Sequence, residues 1–122
     1  MPDYSEILVT SMLTNSVYSV NVANAKVQKL GPYYEEDKPK STFEITEAAG
    51  IAYDGQTGLV FVGSCEKNSV EILAKNYTSL GTLPISTKSF KPLGLLVHER
   101  TLFIANSETK SILQVPLDGK SN

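Results

Sequence analysis

Very few side chains in this chain of 122 residues could carry out covalent or acid–base chemistry, and they are scattered. His98 is the single histidine and Cys65 the single cysteine. A general base or a thiolate nucleophile works only beside an orienting partner, and no histidine lies near Cys65 in sequence. Asp54 and Asp118 each precede a glycine, a pairing that forms turns before it forms sites. These residues define no catalytic set and no set of metal ligands. Binding is better provided for. Tyr33 and Tyr34 stand next to Glu35, Glu36 and Asp37 in the Pro-bounded stretch "GPYYEEDKPKS". Two amphipathic rings beside a local negative charge suit the docking of a basic protein surface. Asn68 and Asn106, in the polar stretches "SCEKN" and "NSETK", complete the candidate binding residues.

Charge and composition narrow the partners. Eleven Lys plus Arg against thirteen Asp plus Glu leave a net charge of -2, and no basic block of five residues occurs. The electrostatic footprint of a nucleic-acid binder is therefore missing. No apolar run approaches the ~18 residues that cross a bilayer, and Met1 is not followed by a charged and then apolar leader. A lone cysteine excludes an internal disulfide framework and fits a reducing compartment, so the chain is expected to be cytoplasmic if it is complete. Asn76-Tyr77-Thr78 is a glycosylation sequon that matters only if the chain belongs to a longer secreted protein.

The elements that must position these residues recur. "ILVTSMLTNSVYSV" (7–20), "VFVGSCEKNSVEIL" (60–73) and "LFIANSETKSILQV" (102–115) each carry an apolar triplet, a polar loop, a Ser and a second apolar run. The Ser follows the first apolar residue by nine positions in all three copies, at Ser16, Ser69 and Ser111. Two copies have a preceding run that opens at Gly50 and at Gly94, 44 residues apart. Runs this short, rich in Val, Ile, Leu, Tyr and Phe and bounded by Gly, Asn, Asp and Ser, read as strands. A period of 40 to 50 residues built from such strands is the mark of propeller blades. The middle copy supplies four strands, A to D from the inside outward: Gly50–Tyr53, Leu59–Gly63, Ser69–Leu73 and a weaker Ser79–Pro84. Val60-Phe61-Val62 and Leu102-Phe103-Ile104 are apolar on both strand faces, as expected of a blade held between two neighbours.

The stretch "GIAYDGQTGLVFVGSCEKNSVEI" resembles the repeats of six-bladed propellers of the NHL, YncE-like and YWTD kinds, over about 105 of the 122 residues, although the YWTD tetrad itself is absent. The expected fold is all-β, with about three four-stranded antiparallel blades over 7–30, 49–84 and 93–117 that are incomplete at both ends. An open arc exposes apolar faces and strand edges. The expectation is therefore self-association, or flanking blades in a longer protein, with Val17 and Val115 near the open ends. By analogy with the class, the B-to-C loops and the D-to-A connections share one rim, which carries the ligands. The resemblance implies a non-enzymatic scaffold that binds a protein or peptide through rim loops and needs no cofactor. The alternative it implies is a lactonase or esterase of the gluconolactonase-like propeller kind, with calcium on the axis and Asn106 imitating one ligand.

Overall fold

In a computed structural model the described residues are 6–12, 15–31, 34–35, 38–39, 47–83, 85 and 90–117. Each β-branched and aromatic run becomes a strand, and each polar interruption a tight turn, so neighbours in sequence pair as neighbours in space. β1 (Glu6–Ser11), β2 (Ser16–Asn21) and β3 (Val27–Gly31) form the first sheet. The middle sheet is β6 (Ala48–Tyr53), β7 (Val60–Ser64), β8 (Ser69–Leu73) and β9 (Ser79–Thr82). The third is β10 (Pro92–His98), β11 (Thr101–Asn106) and β12 (Ser111–Pro116). All three are antiparallel meanders, and no helix occurs among the described residues. Between the first and middle sheets, β4 (Tyr34–Glu35) and β5 (Lys38–Pro39) pair as a small hairpin. That hairpin lies inside the Pro-bounded acidic stretch, where no apolar alternation announces a strand.

The aligned serines explain the turns. The residue directly before each is left-handed: Asn15 at φ 52°, Asn68 at φ 52° and Lys110 at φ 55°. Asn tolerates this region better than most side chains. The β1–β2, β7–β8 and β11–β12 turns therefore end alike, on one left-handed residue.

Alternation then assigns the faces. On β7, Val60 and Val62 point towards the first sheet and join Val17, Ala48 and Leu73 in one core, against which Leu8, Leu30, Ile51 and Tyr77 pack. Phe61 points the other way, into a second core with Ala52, Val70, Phe90, Leu102 and Ile104. Every residue of β7 is buried, which matches the two-sided apolar reading of Val60-Phe61-Val62. Val17 and Val115 do not lie at open ends. Val17 is fully buried in the first core and Val115 packs against the second, because each lies on the side of its sheet that meets the middle one.

Glycine allows the inner strands to approach. A Cβ on Gly63 would fall 2.4 Å from the Pro92 carbonyl oxygen, and one on Gly50 would fall 2.8 Å from that of Leu93. Both obstacles are backbone and cannot swing aside. Gly63→Ala is expected to lose about 2–3 kcal/mol through the forced separation of β7 and β10. Gly55→Ala, whose nearest neighbour would be a Tyr53 ring atom at 4.0 Å, should stay within about 0.5 kcal/mol of the parent. Thermal unfolding followed by circular dichroism checks the contrast.

Candidate functional site: the rim of the β7–β8 and β11–β12 turns

Register places one set of connections on one edge of the sheets. β3 ends at Gly31 opposite Val17, near the start of β2, while β6 begins at Ala48 opposite Ser64, at the end of β7. The connection from 32 to 47 therefore leaves and re-enters on the same rim, and it carries the β4–β5 hairpin. Backbone bonds stitch this rim together. The Cys65 N–H donates to the Glu47 carbonyl at 3.1 Å, and the Ser107 N–H to the Lys91 carbonyl at 3.1 Å. The two bonds are equivalent, each joining the first residue of a turn to the residue that leads into the sheet's inner strand.

The left-handed asparagines reach further, from one sheet to the next. The Asn15 side-chain oxygen accepts the Glu47 N–H at 2.7 Å. The Asn68 amide, oriented so that its nitrogen faces acceptors, donates to the Cys65 carbonyl at 2.9 Å and to the Phe90 carbonyl at 2.8 Å. Asn68 thus has a structural task, and Asn15, which sequence reasoning passed over, performs the same one. The signal was available, since both directly precede the aligned serines. Asn68→Ala removes two hydrogen bonds and leaves a poor left-handed residue, for an expected loss of about 1–2 kcal/mol. Asn68→Asp should recover the backbone preference but not the donated bonds. Chemical denaturation of the two variants separates these contributions.

Asn106 is buried with only 2% of its surface exposed. Its side-chain oxygen accepts the Lys91 N–H at 3.0 Å and the Glu108 N–H at 3.2 Å. It closes the turn after β11. Among the described residues no group of three His, Cys, Asp or Glu side chains is placed to hold a metal ion. Cys65 is a buried free thiol. Burial pushes its pKa up, Glu47 adds to the effect and Lys91 opposes it, so the thiol is held in its less reactive form. Of the acidic aromatic stretch, Tyr34 and Glu35 form β4, whereas Tyr33, Glu36 and Asp37 lie outside the described residues, as does Asp118. The structure does not bring Asn106 and the hairpin residues into one described constellation. What it assembles on this rim is the exposed polar set Glu47, Glu66, Lys67 and Asn68, with Lys91, Glu108 and Lys110 at the neighbouring sheet.

The opposite rim carries an ion pair between sheets. Asp54 accepts from the Gln56 N–H at 3.1 Å and from the Thr57 hydroxyl at 2.7 Å, and it pairs with Arg100 of the third sheet's turn. Arg100 also donates to the Leu117 carbonyl at 3.2 Å. Asp54 is a turn former, as its glycine neighbour suggested, and also the acidic half of a staple between sheets. Burial alone would push its carboxyl up. The hydrogen bonds from Thr57, Arg100 and Gln56, together with the Arg100 charge, outweigh burial and hold it below the usual carboxylate range. The equivalent position one repeat later is His98, exposed and 3.6 Å from Glu99. On this rim too, Asn76 of the sequon is exposed in the turn after β8, its side-chain oxygen accepting the Thr78 N–H at 3.2 Å.

Comparison with solved structures defines the class. Hydrazine synthase of Kuenenia stuttgartiensis superposes with a TM-score of 0.67 at 17% identity, over 96% of this chain and 31% of that one. A chain of the nidogen/laminin complex gives 0.60 at 11% identity, over 91% and 42%. Virginiamycin B lyase of Staphylococcus aureus gives 0.53 at 11% identity, over 91% and 37%. These are β-propeller proteins, and the three sheets here have the form of propeller blades. The chain spans between about three and four tenths of the length of the structures it matches. No family model matches it, and no curated protein does. Among the described residues no helix is long and apolar enough to cross a membrane.

Proposed function

We propose that this chain is a non-enzymatic propeller scaffold that binds a protein or peptide partner through its rim loops, with the acidic aromatic stretch as the principal contact. The observation that carries the proposal is topological. The connection bearing Tyr34 and Glu35 both departs from and returns to the rim where the β7–β8 and β11–β12 turns present their exposed polar side chains. Loops held on a rigid sheet scaffold are the usual place for recognition. Tyr33 and Tyr34 supply rigid anchors with little side-chain entropy to lose, and Glu35, Glu36 and Asp37 select a basic complement. A propeller present in the nidogen/laminin complex is in keeping with protein binding on this fold.

Selection from a displayed library of random peptides, followed by titration calorimetry with the winning peptide, tests the reading. Lys- and Arg-containing sequences are expected, and joint Tyr33→Ala and Tyr34→Ala should weaken their binding at least tenfold with thermal unfolding nearly unchanged. Binders without basic residues, or binding indifferent to the double substitution, would contradict it.

A further inference from the structure

Each end of the sheet stack presents an apolar face that no described residue covers. On the first sheet, Ile7 of β1 lies beside Val20 of β2 and Val27 of β3, and Val9 beside Tyr18 and Lys29, with Ile7 55%, Val9 41% and Val27 64% exposed. On the third, Leu96 of β10 lies beside Phe103 of β11, on the same face as Ile112 of β12, with Leu96 62% and Ile112 66% exposed.

The repeat reveals what kind of face each one is. Ile7 and Val9 occupy the positions of Val60 and Val62 in the middle sheet and of Leu102 and Ile104 in the third, all four buried against the preceding sheet. Phe103 and Ile112 occupy the positions of Phe61 and Val70, which are buried against the following sheet. The chain thus uses one contact twice, the following face of one sheet against the preceding face of the next. Among the described residues it leaves one unpaired face of each kind. Two faces of opposite kind on one molecule are self-complementary between copies, and a head-to-tail contact closes into a ring when its rotation allows.

The size of the arc favours closure by two copies. Propellers typically close with four to eight blades, so three sheets are too few, nine too many, and six from two copies fit. We infer that the third sheet's outer face docks on the first sheet's outer face of a second copy of this chain, twice, to give a six-sheet ring. Where the middle sheet has Asp54 and Asn68 the third has His98 and Lys110, so those two side chains are not repeated on its outer face.

Light scattering across a tenfold concentration range, with circular dichroism as the check on folding, tests the inference. The chain should run at twice its 13.3 kDa mass and grow no further. Val9→Lys and Ile112→Lys should each give monomers, since either substitution spoils both junctions of the ring. An equimolar mixture of the two should regain a two-chain species, because one junction is then built from two intact faces. Should either lysine variant unfold, Val9→Thr and Ile112→Thr provide the same comparison, with association weakened at least tenfold. A folded monomer at every concentration would overturn the inference, and would point to a flanking sheet of the same polypeptide as the cover. Mass that climbs with concentration, or a dimer surviving one of the two lysines, would overturn it equally, by indicating an open filament or a face paired with its own kind.

Discussion

Phe61→Ala is expected to lower stability by about 3–5 kcal/mol, the largest loss of any single truncation among the described core residues. Phe61 is 1% exposed and belongs to the core between the middle and third sheets, where Ala52, Val70, Phe90, Leu102 and Ile104 close around it. Its neighbours on β7, Val60 and Val62, serve the opposite core. β7 is therefore tied on both sides, and collapse around the missing ring is hindered because either sheet can move inward only by straining the other contact. Phe61→Leu keeps much of the volume and should lose only about 1–1.5 kcal/mol. Urea denaturation of the three proteins, with comparable slopes confirming a common denatured state, measures the series.

Asp54→Ala is expected to lose about 2–3 kcal/mol. Removing one partner of a buried ion pair costs roughly 3–5 kcal/mol, and the value here is smaller because the Arg100 side chain keeps 23% of its surface in water. The deleted carboxylate also holds the Gln56 N–H and the Thr57 hydroxyl, so the turn between β6 and β7 loosens together with the staple to the third sheet. The pH dependence has a definite sign. The folded carboxyl titrates below its ordinary value, so its contribution is complete above the unfolded pKa of about 3.9 and is lost as pH falls through that value towards the folded one. As pH falls through the unfolded value the parent should lose stability more steeply than Asp54→Asn, with the two curves converging at the acid end. Parallel curves would mean that the pair contributes nothing beyond the turn.

Much of this architecture is legible in the residues themselves. The triplets Val60-Phe61-Val62 and Leu102-Phe103-Ile104, apolar at every position, announce strands with a neighbour on each side, and β7 is buried throughout. The third triplet is less simple, since Phe103 faces the uncovered side. A sequence pattern records which faces are fit to be buried, and the fold decides which of them find a partner. Val17 and Val115 illustrate the same limit. Their positions near the first and last strands suggested open ends, but side-chain alternation turns both towards the middle sheet. Strand position alone does not give facing; the register of the pair does.

The rim was half legible. Asn68 stood out as a polar residue in a polar loop, and its left-handed backbone and its bonds to Cys65 and Phe90 make it a tie between sheets. Asn106 was equally conspicuous and is equally structural, buried and engaged by Lys91 and Glu108. Contacts between residues 46 positions apart, such as that of Asp54 with Arg100, have no local signature. They appear only when the sheets are stacked. The β4–β5 hairpin was hidden for a different reason. Strands of two residues bury no periodic face, so composition read the stretch as a loop while topology carried it to the rim.

The most direct measurement is the pattern of through-space proton contacts around β7 by methyl and aromatic nuclear magnetic resonance. Contacts are expected from the Val60 and Val62 methyls to Leu8 and Val17 of the first sheet, and from the Phe61 ring to Leu102 and Ile104 of the third, with no crossing between the two groups. Contacts from Val60, Phe61 and Val62 to one and the same neighbouring sheet would contradict the stacked-blade arrangement on which the rim, the staple and the two open faces all depend.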